Sequence, residues 1–262
     1  NDTRFEYDLN RKPEDCLYEE AWGKKVWKTN LTAKEKQVSR QKHINYYKVT
    51  HALIKKLEEL FDGCVVYDVH SYNWVRWTRQ VPLFNIGIER LEYEKYGHVI
   101  ENWKNQLSAI SIPDVENVTA INDVFYGRGY NLEYITSHFN KTLVLATEVK
   151  KVYCNELTGE DFPRIIKALQ QQLKKAILEN ANFFSQSMTN WKFKRVGKLL
   201  DSKVEDSIQK VDAGMFRLLK NFELLAFVKP INVTPEKRKF FKNKATEAPK
   251  FKYSPIRINP YE

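Results

Sequence analysis

The stretch VVYDVHSYN, Val65–Asn73, decides how this chain is interpreted. Its first half is an apolar run rich in β-branched residues, which is typical of a strand buried inside a sheet. Its second half carries Asp68, His70 and Ser71, whose burial costs free energy unless they face a cleft or bind something. Because sites in open α/β sheets collect at the carboxyl ends of strands, we expect these side chains to belong to a functional site.

A long helix is predicted directly before this strand. Thr32 is a suitable N-cap and Glu35 completes a capping box, so the helix is expected over Ala33–Leu60. Its expected buried stripe recurs at helical spacing at Val49, Leu53, Leu57 and Leu60. A short strand is also expected at Arg4–Asn10, ahead of the helix. The order strand, helix, strand favours a parallel pair in an α/β sheet.

Further elements of the same kind follow along the chain. Strands are expected at 82–88 and 142–149, and helices at 93–110, 160–184 and 201–227. The prediction is a three-layer αβα domain over residues 1–200, with a mixed, mostly parallel sheet. Residues 201–262 are expected to form a helical and basic C-terminal extension, which is a candidate start of a second domain.

The positive charge of the chain is concentrated at its C-terminal end. The net charge is +10, and residues 229–262 hold nine Lys and Arg against three Glu. Such a tail could contact nucleic acid or an acidic partner, or it could be a solvated arm. No RRM, helix-turn-helix or zinc-finger pattern accompanies it, so a nucleic-acid partner is not expected.

The remaining composition favours a cytoplasmic enzyme or binding protein. No window has the roughly 18 consecutive apolar residues that a membrane span needs, so no membrane partner is expected. Cys16, Cys64 and Cys154 lie far apart and form no CxxC pair. A reduced, cytoplasmic protein is the simplest interpretation of this cysteine usage.

Polar groups end three of the predicted strands. Asn10 and Arg11 follow the first, His70 ends the second, and Glu148 lies in the buried run TLVLATEV. A strand-end histidine is more often a hydrogen-bonded structural residue than a metal ligand. Glu148 is harder to dismiss, because an unpaired carboxylate in a buried strand is costly, although a neighbouring lysine could pair with it.

Taken in this order, the segments resemble the N-formylglutamate amidohydrolase family, a branch of the zinc carboxypeptidase-like hydrolases. The matching segments are YDLNR (Tyr7–Arg11), YDVHSY (Tyr67–Tyr72), FYGRGY (Phe125–Tyr130) with YITSHF (Tyr134–Phe139), and TEVKKVY (Thr147–Tyr153). The resemblance covers residues 1 to about 190. It implies a zinc carboxypeptidase-like fold and a zinc-dependent hydrolysis of the amide bond in an N-acyl amino acid.

The resemblance also implies a role for each site residue. His70 would be a zinc ligand, Glu148 the general base, and Asp68 a residue that orients the metal site. The implied substrate-binding positions are Asn10, Arg11, Ser71, Arg128 and His138. A guanidinium such as that of Arg11 matches a substrate carboxylate bidentately. Two of these positions have plain alternatives, since Arg128 could be an exposed loop charge and His138 a structural histidine.

The match to the family pattern is incomplete on its upstream side. The family places two further zinc ligands, a His and a Glu, before the Asn-Arg segment, and no His precedes Asp8 here. The internal HxxE at His98–Glu101 comes in the wrong order and in a predicted surface helix. Two explanations stay open: the chain, which begins without Met, is a trimmed part of a longer protein, or it is a metal-free relative. In either case we expect zinc to be absent or weakly bound by this chain alone.

The C-terminal segment carries a second resemblance. FELLAFVKPINVTPEKRKFFKN (Phe222–Asn243) is similar to the opening of the tyrosine-carboxypeptidase-like family known by its QEGLA motif. This similarity predicts a fused C-terminal domain as a partner. Two functions therefore remain: an amidohydrolase acting on a small N-acyl amino acid with a carboxylate, or a non-catalytic module that binds a carboxylate or scaffolds a neighbouring domain.

Overall fold

The computed structural model describes residues 4–21 and 23–187. The helices are α1 (Ala33–Phe61), α2 (Tyr93–Ser108), α3 (Tyr130–His138) and α4 (Pro163–Ser187). The strands are β1 (Glu20–Ala21), β2 (Lys24–Lys25), β3 (Cys64–Tyr72), β4 (Phe84–Gly87), β5 (Thr119–Ile121) and β6 (Thr142–Lys150). The expected helix at 201–227, the boundary at residue 200, the basic tail and the QEGLA-like segment lie outside the described residues.

The main sheet has four strands in the order β3-β6-β4-β5, and β1 and β2 form a separate two-residue hairpin. β3 pairs with β6 in parallel and β4 pairs with β5 in parallel, whereas β4 and β6 are antiparallel. The predicted α/β class with a mixed sheet is therefore confirmed. Two of the predicted site segments lie on β3 and β6, and the carboxyl ends of these two strands lie at the same edge of the sheet.

Helices cover both faces of the sheet, which gives the three expected layers. α2 and α4 bury Trp103 and Ile177 against one face, where Leu143 and Leu145 of β6 point. The alternate residue Val144 points to the other face and packs with residues of α1 and α3. Because side chains of a strand alternate between faces, Glu148 shares the face of Val144. The site thus lies under α1 and α3, away from the larger core.

The expected strand at Arg4–Asn10 is wrong, because the described residues there form turns. The buried Asp8 carboxylate accepts a hydrogen bond from the backbone N–H of Asn10 at 3.0 Å. It also accepts from the Arg4 guanidinium at 2.7 Å and from the Tyr18 hydroxyl at 3.1 Å. A side chain that satisfies its own neighbouring backbone competes with a sheet ladder. The predicted strand–helix–strand pairing is replaced by the pairing of β3 with β6.

The long helix α1 begins as predicted but buries a different stripe. Both hydrogen bonds of the capping box between Thr32 and Glu35 are present. The buried residues of α1 are Ser39, His43, Tyr47, Thr50 and Ile54, not the four expected aliphatic residues. The reason is that α1 packs its polar aromatic side chains against the segment that follows Asp8. No helix of the described residues is long and apolar enough to cross a membrane.

Candidate functional site

His70 and Glu148 meet across two adjacent strands. They are direct partners in the parallel register of β3 and β6, and Asp68 lies two residues before His70 on the same face. All three side chains line a cavity of about 240 Å³. Its other lining residues include Asn10, Phe125, Tyr126, Arg128 and Leu132. The structure thus brings His70, Asp68 and Glu148 together at one cavity, while their predicted roles stay predictions.

His70 stands between two carboxylates. Its Nε2 lies 3.0 Å from Oδ1 of Asp68, whose side chain is only 13% exposed. Burial by itself lowers the pKa of His70, but the close Asp68 carboxylate, helped by the charge of Glu148, raises the pKa to about 9. The raised pKa favours the protonated imidazole, and His70 lines the cavity together with Asp68 and Glu148.

The surroundings of Glu148 favour its protonated form more than water does. Burial raises the pKa of Glu148 above its ordinary value, and the negative charge of Asp68 raises it further. The positive charges of His70 and Arg4 oppose this shift without cancelling it. A carboxylate whose pKa moves toward neutrality is a better general base or acid than an ordinary one.

Asn10 enters the cavity because its backbone is held on both sides. The Leu9 carbonyl accepts a hydrogen bond from the Tyr47 hydroxyl, and the Asn10 carbonyl accepts one from the Tyr130 N–H at 3.2 Å. His43 donates from Nε2 to the Arg11 carbonyl at 2.9 Å. Oδ1 of Asn10 is buried without a hydrogen-bond partner among the described residues. Three consecutive carbonyls are thus fixed, while one buried side-chain oxygen next to the cavity lacks a hydrogen-bond partner among the described residues.

The glycines of FYGRGY allow the loop before α3 to form the wall of the cavity. A Cβ at Gly87 of β4 would lie 2.2 Å from the backbone nitrogen of Gly127, so only glycine permits this approach. A Cβ at Gly129 would lie 2.1 Å from Oδ1 of Asn10. Arg128, between Gly127 and Gly129, lines the cavity, and its guanidinium pairs with Glu89 at 2.7 Å. The Arg128 side chain is 64% exposed, so it lies at the rim.

Three of the sequence-predicted site residues are not brought to the cavity. The Arg11 guanidinium lies 4.3 Å from the ring centre of Tyr18 and 3.6 Å from the Asp8 carboxylate. Ser71 alternates to the opposite sheet face from His70. His138 is exposed, and its Nδ1 donates to the Tyr134 carbonyl at 2.7 Å. Of the two neighbouring predicted positions, Asn10 lines the cavity and Arg11 does not.

The described residues do not fit a zinc site of three protein ligands. Within residues 4–21 and 23–187, no group of three or more His, Cys, Asp or Glu side chains could hold a metal ion. Nε2 of His70 is instead directed at the Asp68 carboxylate. The HxxE pair lies on α2, which packs on the other face of the sheet, and its Glu101 accepts a hydrogen bond from Tyr93.

One residue of the site was missed by the sequence interpretation. Asn85 of β4 is fully buried and is the register partner of Glu148. The signal was an amide inside the apolar run PLFNIGI, because a polar side chain in a buried strand needs partners. α3 was missed as well, since it begins after Gly129 without a side-chain cap.

Comparison with known proteins gives a structural likeness and no sequence match. No family model and no curated protein sequence matches the chain. A crystal structure of N-formylglutamate amidohydrolase from Ralstonia eutropha is similar with a TM-score of 0.55 at 15% identity, covering 71% of this chain and 75% of that one. A gene product of Agrobacterium tumefaciens is similar with a TM-score of 0.45 at 15% identity, covering 67% and 68%. The first likeness shows a shared fold. No comparison supports the QEGLA-like segment.

Proposed function

We propose that this chain is an amidohydrolase-like domain whose cavity takes the amide bond of a small N-acyl amino acid. The observation that carries the proposal is the direct register of His70 with Glu148 above one cavity of about 240 Å³. A cation and a carboxylate with a raised pKa, side by side in a half-buried hollow, are the groups that amide hydrolysis needs. The fold shared with an N-formylglutamate amidohydrolase is consistent with this chemistry.

The proposed reaction uses Glu148 as the group that moves a proton. Water adds to the amide carbonyl carbon while Glu148 accepts a proton from that water. The C–N bond then breaks, and Glu148 returns the proton to the leaving nitrogen, so that a carboxylic acid and a free amine result. In this proposal the protonated imidazole of His70 stabilises the negative charge that develops on the carbonyl oxygen.

The substrate carboxylate is assigned to the Asn10 and Arg128 side of the cavity. Asn10 and Arg128 both line the cavity, and hydrogen bonds to the backbone around Asn10 hold its side-chain amide in position. The Arg128 guanidinium is already paired with Glu89, so a substrate carboxylate would have to share it. A small substrate fits the measured volume, whereas a peptide would have to extend through the rim.

Zinc stays a prediction from the resemblance. His70 is the donor that the resemblance names, and the described residues do not complete a site around it. No step of the reaction above passes through a metal. Zinc content and the protonation of His70 need separate tests, because a zinc-bound imidazole is neutral.

A second function is favoured by one specific observation. The pKa of His70 is raised to about 9, and no group of three metal ligands surrounds it among the described residues, which suits plain binding of a carboxylate. On this alternative the cavity holds an N-acyl amino acid or the carboxylate of a neighbouring domain without cleaving a bond. The two functions differ in turnover and share the binding site.

The test compares Glu148→Gln with Glu94→Gln in the whole chain. Glu94 is exposed on α2, on the other side of the sheet from the cavity, and serves as the matched control. With N-formylglutamate as the probe, formate release should fall about 100-fold or more in Glu148→Gln, the size expected for losing a general base. Glu94→Gln should match the unmodified protein.

Calorimetry with the same probe separates the two functions. Binding by the unmodified chain with no formate release, with and without added zinc, would replace the hydrolase by the binding module. Absence of both binding and release would overturn both. Equal formate release from Glu148→Gln and the unmodified chain would remove Glu148 from the proposed reaction.

A further inference from the structure

Asn85 makes an unusual set of hydrogen bonds inside the fold. It is fully buried, and its Oδ1 accepts from the backbone N–H groups of Asp123 at 3.0 Å and Val124 at 2.8 Å. The N–H of Phe125 lies 3.4 Å from the same oxygen, and Nδ2 of Asn85 donates to the Phe125 carbonyl at 2.7 Å. A single side-chain amide therefore satisfies the backbone of three consecutive loop residues.

These loop residues lead directly into the cavity wall. Val124 and Phe125 line the cavity, as do the following Tyr126, Gly127 and Arg128. Residues 122–129 form no helix or strand, so their backbone N–H and C=O groups need hydrogen-bond partners outside the loop. Asn122, at a positive φ of 52°, starts the loop and accepts at Oδ1 from the Ile88 N–H.

The place of Asn85 in the sheet ties the wall to the reacting groups. Asn85 is the register partner of Glu148 on the antiparallel neighbour β4, and Glu148 is the partner of His70 on β3. Side chains of register partners point to the same face of a sheet. Asn85, Glu148 and His70 therefore form one row across three strands, and the loop is fastened to one end of that row.

The geometry points to Asn85 as a positioning residue, which holds the 123–125 backbone so that the cavity wall stands beside Glu148 and His70. It contacts the loop and not the ligand, so its effect is expected on ligand affinity and on the wall, not on the bond-breaking step. The inference rests on the proposed function for its affinity readout. It rests on the hydrogen bonds alone for its backbone readout.

The test uses two variants of Asn85. Asn85→Leu is of similar volume and removes all the loop hydrogen bonds, leaving three backbone N–H groups without their acceptor. Asn85→Asp keeps an acceptor oxygen for those groups, loses the donor to Phe125, and places a negative charge beside Glu148. The Asp variant should retain the loop if the Leu variant does not fold.

The matched control is Asn180→Leu. Asn180 of α4 is also fully buried, and its Nδ2 donates to the Val99 carbonyl at 3.1 Å and to Oδ1 of Asn102 at 2.9 Å. It lies against α2, on the face of the sheet that does not carry the cavity. Its loss should lower the melting temperature without changing the cavity wall.

Two measurements are made on each variant. In Asn85→Leu, hydrogen exchange at the amides of residues 123–125 should speed up at least 10-fold, and KM for N-formylglutamate should rise at least 10-fold with kcat within about threefold. In Asn85→Asp, exchange at residues 123 and 124 should stay slow, while the acid limb of the pH–rate profile should move to higher pH, because the added charge raises the pKa of Glu148.

The outcomes separate this inference from the proposed function. Unchanged exchange at 123–125 in Asn85→Leu, or an equal loss of protection in Asn180→Leu, would overturn the role of Asn85. An equal fall of kcat in place of a rise in KM would also overturn it. Absence of N-formylglutamate binding and turnover in the unmodified chain would overturn the proposed function, while the exchange measurement would still decide the role of Asn85.

Discussion

His70 and Glu148 face each other as register partners of two parallel strands, and each changes the protonation of the other. The negative charge of Glu148 helps to raise the pKa of His70, and the positive charge of His70 opposes the rise in the pKa of Glu148. Asp68 acts on both in the same direction, because it raises both pKa values. The titrations of His70 and Glu148 are therefore coupled to each other.

The first prediction concerns the imidazole itself. Asp68→Asn should lower the pKa of His70 from about 9 by more than Glu148→Gln does, because the Asp68 carboxylate lies 3.0 Å from Nε2 and is the larger of the two influences that raise this pKa. NMR titration of the His70 ring carbons measures this directly. An ordinary His70 pKa in the unmodified protein, or an equal shift in the two variants, would contradict the described geometry.

The second prediction concerns zinc. We expect the purified 262-residue chain to retain well under one zinc per molecule after dialysis. The reason is that no group of three or more His, Cys, Asp or Glu side chains among the described residues could hold a metal ion. Elemental analysis gives the stoichiometry, and His70→Gln tests whether any retained metal depends on the cavity. His98→Gln is the control for the HxxE pair. One tightly held zinc per chain that is lost in His70→Gln would show this prediction to be wrong.

The third prediction concerns the buried histidine of α1. Burial lowers the pKa of His43, although its hydrogen bond to Arg11 opposes this, so the folded protein favours the neutral ring. The unfolded chain binds the proton more readily. Stability from His43 is therefore complete above a pH of about 6.5 and is lost as the pH falls toward the folded-state value, by at most about 1.4 kcal/mol per pH unit.

Denaturant unfolding between pH 5 and 8 tests this linkage. The difference in unfolding free energy between the unmodified protein and His43→Gln should shrink as the pH falls, because glutamine cannot titrate. The exposed His98→Gln serves as the control. A difference that is constant over the whole pH range would rule out the predicted linkage.

The fourth prediction concerns the contact between Gly87 and Gly127. Gly87→Ala places a Cβ 2.2 Å from a backbone nitrogen and 2.5 Å from a Cα of Gly127, and backbone atoms cannot move aside as a flexible side chain can. We expect a loss of about 1–3 kcal/mol of stability together with weaker ligand binding, since the cavity wall must shift.

Gly97→Ala on α2 is the matched substitution. A Cβ there would meet the side chain of Tyr93 at 3.0 Å, and Tyr93 is 47% exposed, so its ring can turn outward at the cost of its exposed hydrogen bond to Glu101. The helix propensity of alanine offsets part of any clash. Thermal denaturation and probe binding of both variants decide the matter, and equal effects at the two positions would count against a specific role for the Gly87 contact.

The sequence by itself determined the local elements and the groups worth following. The apolar run before Asp68, the capping box at Thr32 and the carboxylate in TLVLATEV predicted β3, α1 and β6 close to their observed bounds. Strand alternation and helix capping are set by near neighbours in the chain, so a sequence carries them directly. The same alternation placed His70 and Asp68 on one face.

Only the tertiary structure decided which of these groups share a cavity. Asp8 folds its own segment into a turn in place of a strand, which brings Asn10 to the wall and leaves Arg11 on Tyr18. β4 pairs with β6 in the antiparallel direction, which places Asn85 beside Glu148. Strand order and loop placement depend on contacts between residues far apart in the chain, and no local pattern encodes which distant partner a buried amide or carbonyl will find.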